Sequence, residues 1–145
     1  MMKRFFLIIL LALFFSSCAN YYISVSSLKE QFTGIDSTKL REVGLSGPMV
    51  FDVHYKANPI RMINCTDKEG KPFQLANGPS IETRITYGYK NRRIVFYFDR
   101  VFISNGMLYG VESRMMSFIT NKIPLDSIKK IEVQDGGKNY HYTAQ

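Results

Sequence analysis

Apolar and polar residues alternate along much of this chain. Phe51, Val53 and Tyr55 interleave with Asp52, His54 and Lys56, and Ile81, Thr83, Ile85 and Tyr87 interleave with Glu82, Arg84 and Thr86. A period of two places one set on each face of a strand and leaves one face wet. The stretch 93–104 breaks this rule. Ile94, Phe96 and Phe98 share one parity, while Val95, Tyr97 and Val101 share the other. Apolar residues on both faces predict a central or strongly bent strand.

Turn-forming residues separate these runs at Asn58-Pro59, Asp67–Gly70, Asn77-Gly78-Pro79, Gly88–Asn91, Asn105-Gly106 and Asp135-Gly136-Gly137. Short strands at intervals of about ten residues predict a mainly β fold, a small antiparallel β-sandwich or barrel-like meander. Asn105-Gly106 favours a tight hairpin into a strand over 107–112. Ile123-Pro124-Leu125-Asp126-Ser127 reads as a single turn feeding a strand over 128–134. The expected core comprises Phe51, Val53, Ile85, Phe96, Phe98, Ile128 and Ile131. Upstream, Ser27-Leu28-Lys29-Glu30 fits a capping box, predicting a short helix that runs through Phe32 and closes at Gly34.

The first residues follow a different pattern. Lys3 and Arg4 precede an unbroken apolar run from Phe5 to Phe15, 11 residues long, followed by Ser16, Ser17 and Cys18. A charged start, a short apolar run and small residues at a cut are the marks of a secretory signal. The run is too short to span a bilayer, which takes about 20 apolar residues as a helix. Phe15-Ser16-Ser17-Cys18 resembles the lipobox of bacterial lipoprotein precursors, with Phe15 where leucine is usual. That resemblance implies cleavage before Cys18, diacylglycerol on its sulfur and an acylated amine, hence anchoring of the chain to a membrane. Ala19 stands where an inner-membrane retention aspartate would be, and no acidic cluster follows. By the same resemblance the location is the periplasmic face of the outer membrane. The expected organisation is therefore a signal over 1–17 and one domain over 18–145, with 18–26 as a short tether. Tyr21 and Tyr22 suit either the headgroup level, where amphipathic aromatics rest, or the start of a first strand.

Removing a 17-residue signal from 145 leaves 128, the size of one domain. With 46% hydrophobic and 14% aromatic residues, the chain has the composition of a folded core, not of a disordered segment. Its formal charge of +7 falls to +5 once Lys3 and Arg4 are set aside. The remaining cations are scattered, apart from Lys90, Arg92 and Arg93. Such a distribution gives solubility and mild attraction to anionic surfaces, and is no nucleic-acid footprint.

Candidate chemistry is sparse. With Cys18 acylated, Cys65 is the one free thiol, and its apolar neighbours Met62 and Ile63 predict an inert, half-buried group. His54 and His141 have no second histidine or cysteine at metal-ligand spacing, and Asp52 beside His54 reads as a wet surface pair. Asp99 is a carboxylate in the most apolar stretch, expected to pair with Arg100 or with an arginine of a neighbouring strand. No phosphate loop, nucleophile elbow or paired-carboxylate motif occurs, so no catalytic, metal or cofactor site is expected. Two surfaces qualify as contacts. Lys90, Arg92 and Arg93, on the hairpin after the Ile81 strand, suit an anionic lipid or glycan. Met115, Met116, Phe118 and Ile119 form an adaptable apolar stretch suited to a partner protein if exposed, or to closing the fold if covered. The expected function is a non-enzymatic binding or accessory module of the cell envelope, with a membrane and an envelope protein as partners. A carrier holding an apolar ligand in its β-rich interior is the alternative.

Overall fold

The computed structural model describes residues 19–113 and 120–143. Cys18 and the stretch Met115, Met116, Phe118 and Ile119 lie outside the described residues. The described chain is mainly antiparallel β. Its strands are β1 (Tyr21–Tyr22), β2 (Arg41–Gly47), β3 (Val50–Ala57), β4 (Met62–Thr66), β5 (Pro72–Ala76), β6 (Ile81–Tyr87), β7 (Arg92–Tyr97), β8 (Phe102–Ser104), β9 (Met107–Gly110), β10 (Asn121–Pro124), β11 (Ile128–Asp135) and β12 (His141–Tyr142). One helix, α1 (Val25–Gln31), and single 3-10 turns at Ser37–Lys39, Phe98–Arg100 and Leu125–Ser127 complete it.

The strands form three sheets, ordered β5-β4-β1-β11-β6-β7, β10-β9-β8 and β12-β2-β3. The six-stranded sheet has two open edges, β5 and β7, so the fold is sandwich-like and not a closed barrel. β11 lies inside that sheet, pairing Ile131 with Ile85 on β6 and Val133 with Tyr21 on β1. The expected tether over 18–26 is therefore shorter than predicted. The chain is already in the sheet at Tyr21, because Tyr21 and Tyr22 fill the gap between β4 and β11. Tyr21 also stacks on Phe73 of β5, with ring centroids 4.3 Å apart.

The helix is capped three residues before the expected position. Ser24 is the N-cap, and its hydroxyl accepts from the Ser27 N–H at 3.1 Å. An oxygen there satisfies one of the free N–H groups of the first turn. Gly34, at φ +75°, follows the helix as expected. Leu28 and Phe32 enter the main core, where the Phe32 ring meets that of Phe98 at 5.8 Å.

That core joins β6, β7 and β11 to the small sheet β8–β10 through Ile85, Phe96, Phe98, Leu108, Ile123 and Ile131, each at most 1% exposed. The stretch 93–104 is bent, as its pattern predicts, but not central. β7 is an edge strand, and after Tyr97 the chain leaves the sheet through the Phe98–Arg100 turn and joins another sheet as β8. Phe98 is thus buried from a turn and not from a strand. Asn105 and Gly106, both at positive φ, make the expected hairpin between β8 and β9, as a two-residue turn matching the strand twist requires.

A second cluster (Val43, Leu45, Tyr55 and Ala57) underlies the sheet β12-β2-β3, with Val53 partly buried against it. Phe51 departs from the expected core, being 87% exposed. Asp52 takes φ +50° and the β2–β3 register slips between Leu45 and Gly47. One left-handed residue beside such a slip breaks the parity that would have put Phe51 on the face of Val53.

Candidate functional site

The β6–β7 hairpin gathers the cations the sequence singles out. Gly88 (φ +69°) and Asn91 (φ +50°) shape its turn, and the Asn91 N–H donates to the Gly88 carbonyl at 3.1 Å. Lys90, Arg92 and Arg93 are exposed, and Tyr89 is 85% exposed. Lys90 Nζ lies 5.7 Å from the Tyr89 ring centroid, and the Arg92 guanidinium 5.2 Å from that of Tyr87. Lys129, from the start of β11, adds a fourth cation by donating to Asn91 Oδ1 at 2.8 Å. None of the four forms an ion pair among the described residues.

The register fixes where this hairpin stands. Tyr87 pairs with Ile128, the first residue of β11, whereas Tyr21 pairs with Val133 near its end. The chain before Tyr21 therefore leaves beside Gln134 and Asp135, and the hairpin projects from the opposite end of the sheet. Five residues of strand separate the two levels, roughly 17 Å at about 3.3 Å per residue. Charge is balanced where the chain enters. Lys68 approaches Glu69 at 3.8 Å, and Lys138 approaches Glu82 at 3.1 Å. The basic excess lies at the other end.

A second feature centres on Asp99, which the sequence singles out without its tyrosine partners. Asp99, 0% exposed, accepts from the Tyr55 hydroxyl on β3 and, at 2.9 Å, from the Tyr142 hydroxyl on β12. Arg100, beside it, stacks its guanidinium on the Tyr55 ring at 3.7 Å and donates to the Ser113 carbonyl at 2.9 Å. Tyr55 and Tyr142 are 44 and 43 residues from Asp99 in sequence, so no local pattern announces either tyrosine. Burial first, then the charge of Asp99, pushes the Tyr142 phenol well above its ordinary value. The arrangement pins the Phe98–Arg100 turn to the sheet β12-β2-β3.

Beside it, Asn58 is 3% exposed and fully engaged. Its N–H donates to the Asp99 carbonyl at 2.6 Å, and its Nδ2 donates to the carbonyls of Phe98 (2.7 Å) and Val101 (3.0 Å). Its Oδ1 accepts from the Ile60 N–H at 3.3 Å and from Asn77 Nδ2 at 3.1 Å. Asn58, Ile60 and Asn77 line an open cleft of about 320 Å³, together with Arg41 and Arg61.

The remaining candidates are structural. Cys65 is 6% exposed, more deeply placed than the half-burial expected. Its thiol donates to the Phe73 carbonyl at 3.4 Å, and burial raises its pKa. A thiol held protonated is a poor nucleophile. His54 Nε2 lies 3.1 Å from Asp52 Oδ1 and its Nδ1 3.9 Å from Glu42 Oε1, with all three side chains more than half exposed. Water competes with such a pair, as expected of a surface contact. His141 is exposed on β12. Among the described residues no three His, Cys, Asp or Glu side chains gather to hold a metal, and no helix is long and apolar enough to cross a membrane. The chain matches no protein-family model, no curated protein and no solved structure.

Proposed function

We propose that this chain is a lipid-anchored protein of the bacterial cell envelope, held to a membrane through Cys18. In this reading it is a non-enzymatic binding or accessory module that offers its basic hairpin to an anionic partner. The carrying observation is the opposition of the two ends of the six-stranded sheet. Tyr21, three residues after Cys18, is already paired to Val133, while Lys90, Arg92, Arg93 and Lys129 crowd the far end. Three residues reach at most ~10 Å, so an anchor on Cys18 keeps the near end of the sheet close to the bilayer. The cationic hairpin then stands away from the headgroups of its own membrane, where a partner can reach it. By the lipobox resemblance, that membrane is the outer one and the domain faces the periplasm. The main core is filled by Phe96, Phe98, Leu108 and Ile131, which favours a surface that binds over an interior that carries.

Metabolic labelling with a fatty-acid probe tests the anchor. The wild-type precursor incorporates label and the Cys18→Ser variant does not. Equal incorporation into both would remove the basis for a lipid anchor.

A further inference from the structure

We propose that the cleft between Arg41 and Arg61 binds a small anion through its carboxylate or phosphate groups. The two arginines come from different sheets. Arg41 opens β2 opposite Ala57, and Arg61 immediately precedes β4. Both are exposed, and neither forms an ion pair among the described residues. The residues lining the cleft include no Asp or Glu. Guanidinium groups are planar forks of N–H donors that match carboxylate and phosphate oxygens. Two of them in one lining that holds no Asp or Glu make a site of one sign.

The base of the cleft is held by hydrogen bonds, and one buried polar atom there, Asn77 Oδ1, has no partner among the described residues. Every side-chain polar atom of Asn58 is engaged by the bonds described above, and Asn77 donates to Asn58 Oδ1 and to the Ile60 carbonyl at 2.9 Å. Tyr142 directs its hydroxyl to Asp99, whose charge lies behind it in the interior. Val43 and Ala57 supply an apolar patch. Arg41, Arg61 and Thr143, all exposed, offer N–H and O–H donors to a ligand above that base. A base already fixed by the hydrogen bonds of Asn58 and Asn77 reduces the ordering cost of binding. A volume of about 320 Å³ suits a small molecule and not a polymer. The site is separate from the basic hairpin and does not depend on lipidation of Cys18.

The test is calorimetric titration of the purified full chain with inorganic phosphate and with citrate at low ionic strength. Variants are Arg41→Gln, Arg61→Gln and, as a control at an exposed cation outside both the cleft and the hairpin, Lys122→Gln. We expect saturable one-to-one binding of at least one anion, weakened about tenfold by each cleft substitution, the loss of one charge-assisted contact. Lys122→Gln leaves it unchanged. Citrate alone binding assigns a carboxylate ligand, and phosphate alone assigns a phosphate ligand. Absence of saturable binding for both, or equal weakening by Lys122→Gln, overturns the site. Melting temperatures within a degree of wild type confirm that the exposed arginines were removed without unfolding. Should either variant melt lower, Arg41→Lys or Arg61→Lys repeats the comparison, and binding by it at wild-type strength also overturns the paired-guanidinium site.

Discussion

Phe96 and Phe51 have the same side chain and opposite environments. Phe96 is 0% exposed and Phe51 87%. Truncating a buried phenylalanine removes its transfer energy and leaves a cavity, at a typical cost of ~3–5 kcal/mol out of the ~5–15 kcal/mol that holds a domain together. Phe96→Ala and Phe98→Ala should therefore lower the melting temperature sharply, while Phe51→Ala and Arg92→Ala change it little. Urea denaturation of the four variants checks this. Tyr142 gives a second expectation, this one on pH. Its phenol titrates higher in the folded chain than the ordinary value of 10.0. Above that pH the unfolded chain loses a proton that the folded chain keeps, so the contribution is full below pH 10 and is lost as pH rises. Wild type should lose stability above pH 10 more steeply than Tyr142→Phe, measured by denaturation across pH 8 to about 11.

Among the elements, β6 and β7 show what a period of two reveals and what it hides. β6 is half-buried along its whole length, with Ile81, Thr83 and Ile85 inward, so its alternation reads directly from the sequence. The stretch after Arg93 is legible as bent but not as an edge. Its two apolar parities arise because the chain leaves one sheet at Phe98 and joins another at Phe102, burying residues on either side of the turn. Two-residue β1 is too short for any period to mark. The cleft is equally silent in sequence, since Arg41 and Arg61 come from separate stretches of the chain and share one lining only once it is folded. The hairpin cations, by contrast, are adjacent in sequence, and the structure keeps them together. At Gly110 in β9, an added Cβ would meet the Phe96 ring at 2.3 Å. The ring is locked in the core and backs onto β9 at that point. Gly110→Ala should cost ~1–3 kcal/mol by overpacking, read as a lowered denaturation midpoint. Gly78→Ala, where a Cβ meets nothing within 4 Å and the φ is ordinary, should be nearly silent.

For the whole molecule, the proposed function turns on polarity: the end at Tyr21 would be held to lipid, and the end at Tyr89 is cationic. The strands carry this polarity rigidly, because β1, β11 and β6 are consecutive neighbours in one sheet. The most direct measurement places a fluorophore at Lys68→Cys, in the β4–β5 turn beside β1, or at Tyr89→Cys, in the full lipidated chain reconstituted into vesicles. Cys65, buried and with its thiol pKa raised, is spared by the labelling reagent. Quenchers attached to lipid headgroups should dim the label at position 68 several-fold more than the label at position 89. Equal quenching at the two positions, or stronger quenching at 89, would contradict the orientation and with it the presentation of the basic hairpin away from the membrane.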